Sequence, residues 1–295
     1  MVPTTDRVRG MLFLTLLERP MEISATTTEL VELVVALIVS GAVTGVLAGL
    51  FGIGGGAIIV PVLYEAYSLL GVDEAVRMHV SVATSMGVIV PTAIRSFRAH
   101  YLRGSVDMAV FRGWLLPMPI GVAAASIIAA FISGKALAGV FAAIAASISI
   151  RMLFGGERWR LGNDLPAEPW RAIAGGVIGF LSTFMGIAGG NLVNAYMTLY
   201  GRPMIQAVGT ASAVGLIISI PAVMGYIWAG WGVPGLPPLS AGYVNLLGVA
   251  VLAPVSVLAA PYGVKLAHAL TRRQLEVGFG LFLALVATRF VITLF

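Results

Sequence analysis

The 295-residue chain has no cysteine and is short of charge. Without cysteine there are no disulfides, no thiolate metal sites and no thiol or persulfide relay. Only 11% of the residues are Asp, Glu, Lys or Arg, against about 25% in an ordinary soluble domain. That is too little to cover the surface of a soluble globule of this length. A disordered chain is excluded for the opposite reason, since it would be polar and highly charged. The formal net charge is +5, and 16 of the 18 basic residues are Arg. No run of them is dense enough for a nucleic-acid footprint, so no nucleic-acid partner is expected. There is no His, Asp and Glu cluster at metal-ligand spacing, no recurring nucleophile–base pair and no Walker-type loop. The reading is therefore no catalytic residues, no metal, no cofactor and no transport driven by ATP hydrolysis within the chain.

What is present is apolar: 59% of residues are hydrophobic and the mean hydropathy is +0.98. A membrane-spanning helix needs about 20 apolar residues, and shorter runs can be re-entrant or broken. Ten such segments can be drawn. The first five are Leu30–Phe51, Gly54–Leu70, Met78–Phe97, Met108–Ile132 and Leu137–Leu153. The second five are Trp170–Met185, Gly189–Tyr200, Met204–Ala229, Tyr243–Leu266 and Gln274–Leu294. The second and seventh are short enough to leave open whether they cross fully. The expected fold is an all-α polytopic integral membrane protein. Its divisions are a leader at 1–28, a first transmembrane repeat at 29–153, a cytoplasmic linker at 154–166 and a second repeat at 167–295. The leader carries Arg7 and Arg9 before the apolar run Met11–Leu17. Glu18-Arg19-Pro20 then follows without a small-residue cleavage site, so it reads as a mobile or interfacial leader and not a signal peptide.

The two sets of five segments repeat each other. Gly41, Gly45, Gly52, Ile53, Gly55 and Gly56 match Gly175, Gly179, Gly186, Ile187, Gly189 and Gly190 at an offset of 134. Met78, Val82 and Thr84 match Met204, Val208 and Thr210 at 126. Gly104, Val106, Asp107, Lys135 and Arg151 meet Gly242, Val244, Asn245, Arg273 and Arg289 at 138. Five segments per half is odd, so the halves should lie in opposite orientations. The basic residues agree. Arg95, Arg98, Arg103 and Arg112 flank the third and fourth segments, Arg151, Arg158, Arg160 and Arg171 the fifth and sixth, and Lys265, Arg272 and Arg273 the ninth and tenth. Even numbers of segments separate these loops, so all three fall in the cytoplasm together. Both ends then fall outside, with Arg7, Arg9 and Arg19 on the less favoured side. Inverted repeats are the signature of alternating-access transporters.

Four glycines in five residues, Gly52 to Gly56 around Ile53, cannot continue a helix comfortably. Its partner Met185-Gly186-Ile187-Ala188-Gly189-Gly190-Asn191 is nearly as rich. Each reads as a helix end, a glycine turn and a new helix start inside the protein, a broken or re-entrant hairpin of the kind tolerated only where buried or lining a wet cavity. The new helix aims free N–H groups and its positive dipole end at the turn, which makes an anion site out of backbone. The alternative is plain close packing, and it is preferred for Gly41, Gly45, Gly49, Gly175 and Gly179, whose four-residue spacing lines one helix face. The candidate substrate-binding set is Gly52, Gly54, Gly55, Gly56, Thr84, Ser85, Gly186, Gly189, Gly190, Asn191, Asn194, Thr210 and Ser212. The hydroxyls could donate to an anion without adding charge, or bond back to their own helix carbonyls. Asn191 and Asn194 stand where the first half has Ala57 and Val60, so the second break should carry more side-chain recognition. Glu65 and His79 are candidate proton carriers, although Glu65 could face water at the outer interface. Arg151 and Arg289 read as snorkelling to opposite surfaces.

The run from Gly41 to Pro61, Gly-x-x-x-Gly-x-x-x-Gly-x-x-Gly-Ile-Gly-Gly-Gly-x-x-x-x-Pro, resembles the N-terminal signature of the sulfite exporter TauE/SafE family. The Ala83-Thr84-Ser85 block, the Arg-x-His-x-x-x-Gly-x-Val-Asp loop at Arg98–Asp107 and the second copy at Gly175–Gly190 with Val208-Gly209-Thr210 are similar to it too. The likeness covers Val34 to Phe295; Ala188 in place of a glycine and the N-terminal leader depart from it. It implies an inner-membrane exporter of sulfur-containing anions such as sulfite or organosulfonates, coupled to an ion gradient. Secondary transport of such an anion by alternating access with protons is the expectation, the partners being the small anion and the lipid bilayer, with a homodimer left open. An anion channel, or a carrier of a carboxylate or another inorganic anion, is the alternative. A membrane enzyme would need a reactive cluster that the sequence does not have.

Overall fold

The computed structural model describes residues 27–51, 56–154, 161–162, 164–267 and 271–294. Most of the leader, Gly52, Gly54, Gly55 and most of the linker lie outside the described residues. Eleven helices are described: α1 (Thr27–Phe51), α2 (Gly56–Leu69), α3 (Glu74–Leu102), α4 (Met108–Trp114), α5 (Pro117–Phe131), α6 (Gly134–Phe154), α7 (Trp170–Met185), α8 (Gly190–Leu199), α9 (Met204–Ala229), α10 (Leu246–Ala267) and α11 (Arg272–Leu294). A short antiparallel hairpin, β1 (Ser240–Ala241) and β2 (Val244–Asn245), precedes α10 and sets Ser240 opposite Asn245. The chain is an all-α polytopic membrane protein.

Each of the ten apolar segments is helical over most of its described length, with three departures, the ninth opening on the strand residues Val244 and Asn245 and turning helical only at Leu246. The fourth is broken into α4 and α5, bent by 43°. Pro117 starts α5, where its missing N–H costs nothing, and Asp107 caps α4 by accepting from Ala109 N (3.1 Å) and Val110 N (3.2 Å). The third starts earlier than hydropathy indicates, at Glu74, because Asp73 accepts from Ala75 N at 2.9 Å and caps the helix. Among the described residues five helices are long and apolar enough to cross a membrane, or six with the bent pair. Helices α2 and α8, of 14 and 10 residues, are roughly 21 and 15 Å long at 1.5 Å per residue. Neither crosses a hydrocarbon layer of about 30 Å alone.

The centre of the molecule is the pair α3 and α9, each with 61% of its spanning window buried, against 33% and 35% for α6 and α11. Helix α3 packs on α9, and α6 packs on α11. Helix α1 packs on α10 as α7 packs on α5, and α3 contacts α10 as α9 contacts α5. Exchanging the halves returns each of these pairings. The agreement extends to atoms. A Cβ on Gly45 would strike the backbone of Ser256, and one on Gly179 would lie 2.7 Å from the carbonyl oxygen of Met118. Ser256 and Met118 are themselves 138 residues apart. These glycines are therefore the close-packing surfaces of two equivalent helix crossings.

Candidate functional site

Helix α7 ends on a left-handed glycine. Gly186 (φ +61°) caps it, and Ile187 N donates to Ser182 O at 3.1 Å across the end of the helix. Three residues later Gly189 (φ +71°) is the N-cap of α8. A side chain at either φ would be strained, which is the reason for glycine at these two places. The first bond of α8 is Val193 N to Gly189 O, 2.9 Å, and no side chain caps the helix. The N–H groups of Gly190, Asn191 and Leu192 precede that bond, and a Cβ on Gly190 would meet nothing within 4 Å among the described residues. The sequence reading of a helix break is thus seen in the second half, with an uncapped N-terminus beside open space.

The first break meets the second. Gly56, its described residue, begins α2; a Cβ there would sit 2.8 Å from Ile187 Cα and 3.1 Å from Gly186 O. Ser85, 0% exposed, donates to the same Gly186 carbonyl at 2.7 Å. Gly56, Ser85 and Gly186 are therefore brought together, at a carbonyl-lined junction. The threonines do something else. Thr84 Oγ1 accepts from Asn245 N at 3.0 Å, and Thr210 Oγ1 accepts from Asp107 N at 2.9 Å. Thr84 and Thr210 are repeat partners, as are Asn245 and Asp107, so the two bonds are one contact made twice across the halves. Ser212 bonds back to its own helix at Gly209 O, 2.6 Å. Asn191 and Asn194 are half-buried on the first turns of α8, and Asn194 Oδ1 is buried without a partner among the described residues.

Sequence reasoning missed Ser182. It is 0% exposed, and its hydroxyl has no hydrogen-bond partner among the described residues. Its neighbour Thr183 donates to Gly179 O at 2.8 Å and receives Tyr226 OH on its carbonyl at 3.2 Å. A Cβ on Gly189 would lie 3.1 Å from Ser182 Oγ. The signal was present in the repeat alignment, where Ser182 faces Ala48 at offset 134. The cross-half role of Asp107 and Asn245 was legible there too, in their shared offset.

The titratable candidates lie apart from the breaks. His79 is 2% exposed, with Nε2 3.0 Å from Ala129 O, Nδ1 without a partner among the described residues and the ring stacked on Tyr243 at 4.7 Å. Glu65 forms an ion pair with Arg289 at 3.2 Å, both side chains about half exposed. The pair lines an apolar groove of about 470 Å³ between α1, α2 and α11. Arg289 thus has a carboxylate partner that snorkelling alone does not describe.

The family model for the sulfite exporter TauE/SafE matches residues 12–290. A protein of Haemophilus influenzae named "Probable membrane transporter protein" is 30% identical over 248 residues, covering 84% of this chain and 94% of the relative. A similarly named protein of Methanocaldococcus jannaschii is 25% identical, covering 84% and 92%, and one of Bacillus subtilis is 27% identical, covering 81% and 89%. No solved structure matches the chain.

Proposed function

The chain belongs to the sulfite exporter TauE/SafE family, and we propose that it exports a small sulfur-containing oxyanion, sulfite or an organosulfonate, across the cell inner membrane. It does so by alternating access of two inverted five-segment repeats, coupled to protons. The exchange-related helix pairs support the two repeats, and the spacing of basic loops supports their opposite orientation. The single observation carrying the anion assignment is the uncapped N-terminus of α8, beside the open space at Gly190.

The energetics favour such a site. A charge at the bilayer centre costs at least about 2.5–3.5 kcal/mol. A hydrogen bond to a charged group returns about 1.5–3 kcal/mol, so two or three N–H groups offset that cost. The helix dipole adds about 0.3–1 kcal/mol, and more where partly buried. A site made of neutral donors leaves no fixed cation behind when the anion departs, so the empty carrier can reorient without an unpaired buried charge. Asn191 and Asn194 add amide donors on the same turns. For the proton, His79 is the candidate set between the halves, against the Tyr243 ring; Glu65 is held by Arg289.

The test is labelled-sulfite counterflow in proteoliposomes. A carrier shows trans-stimulation, whereas downhill flux without it would mean a channel. Gly190→Leu fills the open space at the helix N-terminus and should lower flux at least tenfold with an unchanged melting temperature. Flux equal to wild type would overturn the site.

A further inference from the structure

We propose that the two helix breaks are unequal in use: the α7–α8 break alone holds the oxyanion, and the Ser182 hydroxyl is its side-chain donor. This rests on the anion-carrier reading above.

Five of the hydroxyls around the breaks and on the central helices have protein partners, while Ser219 on α9 and Tyr196 on α8 have none among the described residues. Thr84 and Thr210 receive backbone N–H groups from the opposite half, Ser85 binds the Gly186 carbonyl, and Thr183 and Ser212 bond within their own helices. Ser182 is as deeply buried as Thr183, yet its Oγ has none. A helical serine can bond back to a carbonyl of the preceding turn, and Ser182 does not use that option. The hydroxyl lies 3.1 Å from the Cβ position of Gly189, the N-cap residue of the uncapped helix α8. An unspent O–H therefore lies beside the glycine that begins the unspent N–H groups, and hydroxyl and amide donors of that kind suit a small oxyanion.

Two further observations separate the breaks. In the first half the positions of Ser182, Asn191 and Asn194 are Ala48, Ala57 and Val60, which donate nothing through their side chains. The described end of that break, Gly56, is packed against the backbone of Ile187 and Gly186. It forms a wall against the other break, with no room for an anion at that point. The α8 end is closed differently. The atom nearest the Gly189 Cβ position is the terminal methyl of Ile218, at 2.7 Å. A rotamer change moves such an atom, whereas backbone stays.

Sodium sulfite and sodium sulfate, with sodium chloride as ionic control, would be titrated into purified full-length protein in lipid nanodiscs and read by thermal shift. Losing one donor to a charged acceptor corresponds to roughly a tenfold or greater loss of affinity. Ser182→Ala should therefore bind sulfite at least tenfold more weakly, with the ligand-free melting temperature unchanged. Ser182→Thr, which keeps a hydroxyl, should stay within about threefold of wild type. Ala48→Ser should not change binding. Wild-type affinity in Ser182→Ala, or weakening matched by Ser182→Thr, overturns the assignment while the carrier reading stands. If the wild-type protein binds neither oxyanion better than chloride, the carrier reading falls and this assignment with it.

Discussion

Gly45 lies against the backbone of Ser256 and Gly179 against that of Met118, at positions the repeat makes equivalent. Gly41 likewise meets Leu252 where Gly175 meets Trp114, residues again 138 apart. The two breaks, by contrast, share glycines and little else. One half offers Ala48, Ala57 and Val60 where the other offers Ser182, Asn191 and Asn194. The contrast separates two pressures on a duplicated chain. Crossing points must stay matched because both halves dock through them, whereas the anion site proposed above needs only one set of donors.

The largest effects should fall on the matched positions and fall equally. Gly45→Leu and Gly179→Leu each drive a side chain into backbone that cannot yield. Overpacking costs about 1–3 kcal/mol even where side chains can adjust, so a collision with backbone should exceed about 3 kcal/mol. Neither variant should elute as a monodisperse species on size-exclusion chromatography. Tolerance of one and not the other would break the equivalence. The breaks should then diverge. Gly56→Leu, aimed at Ile187 Cα, should fail in the same way, whereas Gly190→Leu should fold and lose transport.

The paired cross-half bonds come next. Thr84→Val and Thr210→Val each leave a backbone N–H without its acceptor, worth about 1–3 kcal/mol when buried. Asn245 is 0% exposed and Asp107 is half-buried, so Thr84→Val should lower the melting temperature more. The caps sharpen the difference. Asn245 spends its amide on Pro238 O (2.7 Å) and Ser240 Oγ (3.1 Å) and its Oδ1 on Gly248 N (2.6 Å). Asn245→Asp removes two donors and buries a charge, and should cost several kcal/mol. Asp107→Asn keeps the helix cap and should stay within about 0.5 kcal/mol of wild type. Equal losses would mean that the two loops are equally buried.

The segments, the doubled glycines and the need for buried helix breaks were legible because hydropathy and glycine spacing are local properties of the chain. The α4–α5 bend and the early start of α3 were not read, since they depend on Pro117 and on the Asp73 cap, which hydropathy does not weigh. At the site, the limit was different. Thr84, Ser85, Thr210 and Ser212 look alike in sequence, and only the fold decides which hydroxyl is already used. Thr84 is taken by Asn245, a residue 161 positions away; Ser182 is left over because its hydroxyl bonds to no described group, not even a carbonyl of its own preceding turn. A free donor is defined by the absence of a neighbour, and a sequence lists only residues.

The smallest effect should come from Glu65 and Arg289, where the halves differ without consequence for the site. The repeat partners of these residues are Leu199, at offset 134, and Arg151, at 138; the second half has leucine at the carboxylate's position. Glu65→Leu makes the first half resemble it. The pair is 3.2 Å apart with both side chains about half exposed, and ion pairs open to water contribute about 0–1 kcal/mol. The melting temperature should therefore drop slightly, and less in high salt, where the pair is screened in the parent as well. If Arg289 instead lay in hydrocarbon, stranding it would cost about 2.5–3.5 kcal/mol or more, and the loss in bilayers would exceed that in detergent by that amount. Transport decides the rest. With His79 as the proton carrier, Glu65→Leu should keep sulfite flux responsive to an imposed pH gradient, and His79→Gln should abolish that response. A gradient response lost in Glu65→Leu and kept in His79→Gln would move proton coupling from the interface between the halves to the rim of the apolar groove.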